Sequence, residues 1–314
     1  MWTLVAFAVA SAFIGCGRKD RPFTRAGVLA ELRDRFPDVS LPPDEPVPGV
    51  DSRLDLSYAR RDGHDLLLDV FIPTGPGPYP GVIVVHGGAW KSGDRAMERP
   101  LARQLAARGF VTATVGYRLG PAGRFPAALF DLKAAVRWLR SNAGAYHLSA
   151  ARIGAVGASA GGQLVALAGA TNGDPAYEDA PAAGSETVSS DLAAVVDIDG
   201  LADFTGADLI AKENRQAGAP SQFLGGSFDN RAETWRAASA LFHVGPKSAP
   251  TLFINSAGPS PILPGRAEMR DRLRALGIDS EIVVFPGTPH PFWLVNPWFT
   301  PTVDAAARFL HRYL

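Results

Sequence analysis

A repeated alternation of short apolar runs with longer helical patterns constrains the fold more than any other feature of the sequence. The run at residues 82–85 is continuous and β-branched, as expected of a strand buried on both faces. Comparable runs occupy residues 110–117, 152–157, 192–198, 251–255 and 281–285, and helical stripes lie at 101–108, 129–140 and 269–276. This alternation predicts a mostly parallel central sheet with helices on both faces. The first run, 66–71, alternates less clearly, and we expect it to form an antiparallel edge strand.

Two stretches interrupt the alternation. Residues 171–190 are rich in glycine, alanine, proline and acids, whereas residues 202–244 carry several aromatic side chains among polar ones. Both follow strands on the carboxyl side of the predicted sheet, where ligands bind in such folds. We therefore expect residues 202–244 to form a small cap insertion over the site. The alternative is a surface segment that packs against the domain and has no further role.

The first sixteen residues differ from the rest of the chain. They are almost wholly apolar and end at Cys16, the only cysteine. The run is too short to span a bilayer and is typical of a signal peptide. Its small residue before a lone cysteine resembles a bacterial lipobox, which predicts lipidation of Cys16 and an exported lipoprotein, periplasmic or anchored in the outer membrane. An ordinary signal peptide and an early start codon are the alternatives. Residues 17–50 are predicted to be a tether and N-terminal extension.

Composition excludes some partners. Basic and acidic residues number 31 each, so the formal net charge is zero, and no surplus of cations exists to bind nucleic acid. We expect contact with a membrane only through the N-terminal lipid. The sequence has no H-E-x-x-H pattern and no paired Cys/His spacing, so no metal or other cofactor is expected.

The pattern G-x-S-x-G occurs at residues 157–161, between a predicted strand and an alanine-rich helical segment at 163–170. A strand, a tight turn and a helix in this order form a nucleophile elbow, which lifts the serine hydroxyl above the sheet. The glycines keep the crowded turn free of side chains. The sequence therefore predicts Ser159 as a nucleophile.

A second glycine pattern, His86-Gly87-Gly88-Ala89-Trp90, directly follows the strand at 82–85. We name residues 86–90 the HGG loop. Glycines at a strand end allow backbone N–H groups to point inward. We expect the N–H groups of the HGG loop and of the residue after the nucleophile to stabilise an oxyanion; the candidate donors are Gly87, Gly88, Ala89 and Ala160. The alternative is a glycine turn that contains a structural histidine.

These motifs occur in a characteristic order. The HGG loop, then Tyr117-Arg118-Leu119, Phe125-Pro126-Ala127-Ala128 and the GASAGG segment at 157–162 together resemble the HGG-containing esterases of the α/β-hydrolase superfamily. The chain is most similar to bacterial acetyl-xylan, feruloyl and pectin esterase-like proteins. The resemblance implies an α/β-hydrolase catalytic domain at residues 51–314 that hydrolyses esters without a cofactor.

The resemblance also implies a base and an acid. His290, in a G-x-x-H-x-F segment after the last predicted strand, is the implied general base. At the position where such enzymes usually carry the acid, this chain has Ser260. Our first candidate for the acid is Asp199, at the end of the run 192–198, and the second is Glu268. A favourable charge near a helix N-terminus is the alternative interpretation of Glu268.

Aromatic residues cluster directly after His290. We expect them, with a tryptophan of the HGG loop, to offer a platform for sugar rings, although core packing is equally compatible; the residues are Phe292, Trp293, Trp298 and Trp90. The function predicted is hydrolysis of acetyl, feruloyl or methyl esters on plant polysaccharides or their fragments. A small-molecule carboxylesterase, a peptidase on the same fold and a non-catalytic carbohydrate-binding lipoprotein are the alternatives.

Overall fold

The computed structural model describes residues 23–179, 188–256 and 264–314. This part of the chain forms one eight-stranded sheet, in the order β1-β2-β4-β3-β5-β6-β7-β8. Strands β3 to β8 are parallel, whereas β2 pairs with both β1 and β4 in the antiparallel sense. The strands are β1 (Val50–Arg61), β2 (His64–Pro73), β3 (Tyr79–Val85), β4 (Val111–Val115), β5 (Leu148–Ala158), β6 (Val195–Ile198), β7 (Thr251–Ser256) and β8 (Ser280–Phe285).

Helices cover both faces of the sheet, which confirms the predicted α/β-hydrolase fold. Along β3, Ile83 and Val85 pack into one apolar cluster, while Val82 and Val84 pack into a second on the opposite face. Helices α3 and α4 belong to the first cluster, and α2 and α9 belong to the second. The helices are α1 (Arg25–Leu32), α2 (Arg99–Ala106), α3 (Ala127–Ser141), α4 (Ala160–Ala170), α5 (Ala207–Arg215), α6 (Ala219–Leu224), α7 (Phe228–Ala237), α8 (Arg266–Ala275) and α9 (Phe299–Tyr313).

The predicted edge strand at 66–71 is antiparallel, but it is not at the edge. It forms the middle of β2, which lies between β1 and β4, and Leu68 and Val70 are fully buried there. The edge strand on this side of the sheet is β1, which the sequence analysis did not predict. Of its twelve residues only Tyr58 is buried, because an edge strand with a solvated face retains many charged side chains.

In the described part of the segment before β1, residues 23–40 pack on the domain. Val28 and Leu32 of α1 are buried in the second apolar cluster. Phe36 meets Trp298 edge to face, with ring centroids 5.3 Å apart, and Ser40 pairs with Asn296 in an isolated β-bridge. Residues 23–40 therefore stabilise the C-terminal part of the domain.

The predicted signal peptide and Cys16 lie outside the described residues. None of the helices in the described ranges combines the length and the apolar character that a membrane span requires.

Residues 202–244 form the predicted cap, with helices α5, α6 and α7. Aromatic side chains anchor it to the HGG loop: the ring of Trp90 stacks on Phe223, with centroids 4.8 Å apart and planes 11° from parallel. Phe204 lies beside Trp90 at 5.5 Å and contacts Trp235 edge to face. Because Phe204 and Trp235 are fully buried, the cap shares the hydrophobic core of the domain.

Truncation of Leu32 tests whether the N-terminal segment contributes to stability. We expect Leu32→Ala to lower the free energy of unfolding by about 2–5 kcal/mol, because it leaves a cavity in a buried cluster. Leu54→Ala is the matched control, since Leu54 on β1 is 42 % exposed, and its cost should stay below about 1 kcal/mol. Chemical denaturation measures both. Equal costs for the two variants would contradict the packing described for α1.

Candidate active site

The parallel strands bring distant segments to one edge of the sheet. The HGG loop follows β3, Ser159 follows β5 and Asp199 follows β6, all at the carboxyl ends of their strands. His290 lies five residues beyond the end of β8. In an open α/β sheet this edge is where ligands bind. The topology alone thus places these four segments within reach of one another.

The turn between β5 and α4 is a strained elbow. Ser159 has φ 53° and ψ −115°, outside the regions that non-glycine residues normally adopt. A Cβ atom at Gly157 would lie 2.2 Å from the carbonyl oxygen of Gly161, and one at Gly161 would lie 2.2 Å from that of Val85. Only glycine fits at either position, so the turn can be this tight and the serine hydroxyl projects above the sheet.

Three polar side chains form a continuous hydrogen-bonded chain at the elbow. His290 Nε2 lies 3.0 Å from Ser159 Oγ, and His290 Nδ1 lies 3.0 Å from Asp199 Oδ2. A carboxylate can only accept, so Nδ1 carries the proton and Nε2 is free to accept one from the serine hydroxyl. The His290 side chain is 37 % exposed while that of Asp199 is fully buried. The three hydrogen-bonded side chains therefore lead from the buried carboxylate of Asp199 to the solvent-accessible hydroxyl of Ser159.

The structure brings one of the two candidate acids to His290. Asp199 Oδ1 accepts hydrogen bonds from the Ser256 N–H at 2.8 Å and from Arg266 Nη1 at 3.3 Å, which leaves Oδ2 for His290. Burial by itself would raise the pKa of Asp199, but the hydrogen bond with His290 and the charge of Arg266 outweigh it, so its pKa is lowered. Glu268 lies exposed on α8. Ser260 is outside the described residues.

A second buried carboxyl, Asp197, lies two residues before Asp199 on β6. It accepts the Gly200 N–H at 2.6 Å through Oδ1, and its Oδ2 has no hydrogen-bond partner among the described residues. Burial raises the pKa of Asp197 to about 7. The pKa values of the two neighbouring carboxyls are therefore shifted in opposite directions. The sequence analysis did not single out Asp197.

Two of the predicted oxyanion donors, Gly87 and Ala160, lie directly beside the serine. A Cβ atom on Gly87 would lie 3.1 Å from the Ser159 Cβ, so the HGG loop lies directly against the elbow. Helix α4 begins at Ala160, whose N–H consequently has no partner within the helix. Within the described residues, the N–H groups of Gly88 and Ala89 donate to no other group. This arrangement suits the stabilisation of a negatively charged oxygen.

His86 fixes the start of the HGG loop through its contacts with Tyr117. Its ring stacks on Tyr117 with centroids 4.5 Å apart, and the Tyr117 hydroxyl donates to the His86 carbonyl at 3.0 Å. Burial lowers the pKa of His86 to about 4, so its ring is neutral near pH 7. Arg118, the next residue after Tyr117, pairs with the buried Asp131 at 2.8 Å. Tyr117 of the Tyr-Arg-Leu motif thus holds the loop in place, and Arg118 fixes the adjacent backbone to Asp131.

Gln163 is a further polar residue that the sequence analysis did not single out. Its Oε1 accepts the Trp90 indole N–H at 3.0 Å, and its Nε2 donates to the Ala238 carbonyl at 3.0 Å. One buried amide therefore joins the HGG loop, helix α4 and the end of the cap. Its position directly after the GASAGG segment was the only available signal.

The predicted sugar platform is wrong for three of its four aromatic residues. Trp90 is 6 % exposed, Trp293 1 % and Phe292 0 %, so none of them offers an exposed face for a sugar ring. Burial of these large apolar surfaces stabilises the fold more than exposure would, which is why the packing alternative prevails. The fourth, Trp298, is half-buried against the N-terminal segment.

Trp293 instead supports His290. Its ring meets the imidazole edge to face at 5.4 Å, and its indole N–H donates to Glu98 Oε1 at 3.2 Å. Burial raises the pKa of Glu98 to about 7. The indole therefore restricts the orientation of the imidazole while a buried carboxyl fixes the indole.

The chain is similar to known proteins along most of its length. The BD-FAE family model matches residues 68–261. Esterase LipC of Mycobacterium tuberculosis (strain ATCC 25618 / H37Rv) is 33% identical over 324 residues, which cover 94% of this chain and 77% of LipC.

Two solved structures share the fold. A propionate-bound esterase, Est2, of Thermogutta terrifontis has a TM-score of 0.68 and 25% identity, with 88% of this chain and 97% of that chain covered. A truncated carbohydrate esterase from gut microbiota has a TM-score of 0.70 and 23% identity, with 85% and 99% covered. Since the family model spans more than half of the chain and LipC aligns with nearly all of it, the chain belongs to the BD-FAE family of α/β-hydrolase esterases and is a carboxylic ester hydrolase.

Proposed function

We propose that Ser159 attacks the carbonyl carbon of a carboxylic ester and that His290 acts as general base. The hydrogen-bonded chain from Ser159 through His290 to Asp199 is the observation that carries this proposal. As the Ser159 oxygen bonds to the carbonyl carbon, its proton moves to His290 Nε2. The buried Asp199 carboxylate stabilises the imidazolium that forms.

The negative oxygen of the tetrahedral intermediate would accept hydrogen bonds from the HGG loop and from the Ala160 N–H. Loss of one such donor typically costs about 3 kcal/mol of transition-state stabilisation. His290 then gives its proton to the leaving alcohol, and an acyl-enzyme remains on Ser159. Water activated by the same imidazole releases the carboxylic acid and restores the serine hydroxyl.

Small soluble carboxylic esters are the substrate class that the site supports best. His290 is open to solvent, whereas Trp90, Phe292 and Trp293 are buried and present no surface for a sugar ring. A small ester needs only access to Ser159 and the oxyanion donors, and the solvent-exposed side of His290 provides that access.

Acetyl, feruloyl or methyl esters on plant polysaccharides or their fragments are the second candidate. The specific observation in its favour is the similarity of the motifs to polysaccharide esterases, together with a fold shared with a carbohydrate esterase of gut microbiota. Export as a lipoprotein with lipid on Cys16 would bring the enzyme to such polymers, and it remains a proposal from the sequence.

Product analysis tests the proposed function. We expect the parent protein to release acetate from p-nitrophenyl acetate, and Ser159→Ala to lower kcat/KM by a factor on the order of 10⁴ or more. Acetylated xylan, acetylated pectin and methylated pectin test the second candidate in the same assay. Release of acetate or methanol from these polymers by the parent and not by the variant would establish polysaccharide esters as substrates. Equal activity of parent and variant on every ester would contradict the role of Ser159.

The two buried aspartates, Asp197 and Asp199, provide a matched pair of substitutions. We expect Asp199→Asn to lower kcat by a factor on the order of 10⁴, because an amide cannot stabilise the imidazolium or hold its tautomer. Asp197→Asn replaces a carboxyl that is neutral over most of the acidic range and should keep kcat within about threefold. Steady-state kinetics at pH 7 compares them, and equal losses would contradict the assignment of Asp199.

Asp197→Asn also has an expected effect on stability against pH. The folded pKa of about 7 lies above the ordinary value of 3.8, so the folded parent retains a proton that the unfolded chain releases. The contribution of Asp197 to the stability of the parent is therefore lost as the pH rises from about 4 to about 7, and the variant has no such contribution to lose. Thermal unfolding at several pH values should show the stability of the variant relative to the parent increasing across this window. A constant difference would contradict the raised pKa.

A further inference from the structure

Arg266 is a buried cation beside the proposed triad. It is the first residue of α8, and its side chain is 6 % exposed. Its Nη1 lies 3.3 Å from Asp199 Oδ1, on the side of the carboxylate opposite to His290. No feature of the proposed chemistry requires a cation at this position, and substrate does not reach so deeply buried a side chain.

The backbone around Arg266 is fastened to the segment that follows Asp199. The N–H groups of Ala202 and Asp203 both donate to the Pro264 carbonyl at 3.1 Å. A Cβ atom on Gly265 would lie 2.5 Å from the Asp203 Cβ, so the two segments are in close contact. Arg266 and Asp199 therefore belong to one rigid unit, although they are 67 positions apart in the chain.

The charge balance of this region explains the need for a cation. Two carboxyls, Asp197 on β6 and Asp199 directly after it, are fully buried, and Arg266 interacts electrostatically with both. A buried carboxylate without a compensating charge or hydrogen bonds is strongly unfavourable. One cation compensates one carboxylate, and the direct hydrogen bond selects Asp199. The burial-driven rise in the pKa of Asp197 agrees with this distribution of charge.

We propose that Arg266 is a positioning residue for the triad, which keeps the Asp199 carboxylate charged and turned so that Oδ2 faces His290. The proposal rests on the proposed function, because it assigns a role through the Asp199–His290 pair. Together with the Ser256 N–H at 2.8 Å, Arg266 occupies Oδ1 and restricts rotation of the carboxylate.

The groups that face the Asp199 carboxylate determine how its proton affinity changes when Arg266 is replaced. They are Asp197 from β6, Arg266 from α8 and His290 from the segment after β8, whereas β7 contributes the N–H of Ser256. Glu98 acts on His290 only through the intervening Trp293. Removal of the Arg266 charge favours protonation of the Asp199–His290 pair, so the free enzyme loses its base at a higher pH than before.

The experiment compares Arg266→Met and Arg266→Lys with the parent, on p-nitrophenyl acetate from pH 4 to pH 9. We expect Arg266→Met to lower kcat about 10–100-fold with little change in KM, since a misplaced triad slows the reaction without loss of substrate contacts. The acid limb of kcat/KM should move to higher pH by about one unit. Arg266→Lys retains the charge, and its acid limb should remain within about 0.3 unit of the parent's.

The control is Arg272→Met, which removes a cation from the same helix. Arg272 donates to the Leu241 carbonyl and has no carboxylate partner among the described residues, so the acid limb of kcat/KM for Arg272→Met should stay at the parent position. If Arg266→Met does not fold, as judged by circular dichroism, Arg266→Gln and Arg266→Lys carry the comparison.

The outcomes separate this proposal from the proposed function. A parent that is inactive, or active without Ser159, would overturn the proposed function. A parent whose activity requires Ser159, with an unchanged acid limb in folded Arg266→Met or an equal shift in Arg266→Lys, would overturn the role of Arg266 alone.

Discussion

The hydrogen bond between the buried Asp199 carboxylate and His290 Nδ1 is the interaction around which the site is arranged. A charge in a dry interior is unfavourable unless it is compensated, and here the compensation comes from His290, Ser256 and Arg266. Ser256 belongs to β7, Arg266 belongs to α8 and His290 follows β8, so the arrangement requires these elements to be correctly assembled around the end of β6. The strained elbow and the HGG loop then complete the site on the solvent side of His290.

Much of the fold follows from periodicity and glycine placement. Buried parallel strands produce continuous apolar runs, so residues 82–85 and 152–157 were recognisable, and the elbow glycines are dictated by contacts shorter than any side chain allows. Strand β1 was not recognisable, because an edge strand with one solvated face carries a weak apolar signal. The position of β2 inside the sheet depends on that unrecognised neighbour.

The candidate site was only partly predictable, because some of its contacts join segments that are distant in the sequence. Ser159, His290 and the HGG loop sit in motifs with local geometry of their own, whereas the ranking of Asp199 above Glu268 had no geometric support until the distance to His290 was known. Arg266 has no local signature, since its importance comes from a contact between α8 and the end of β6. Likewise, an aromatic sequence after His290 does not reveal which rings are buried, and Trp293 proves to support the imidazole instead of facing a ligand.

The most direct test of the account is the reaction of the protein with paraoxon, followed by peptide mass spectrometry and by the rate of labelling. We expect one diethylphosphoryl group, located on Ser159, and labelling of Asp199→Asn slower by a factor on the order of 10³ or more. The reason is that the Ser159 hydroxyl is nucleophilic only when Asp199 holds His290 in the correct tautomer and stabilises its charge. Labelling of a different residue, no labelling, or an equal rate in Asp199→Asn would contradict it.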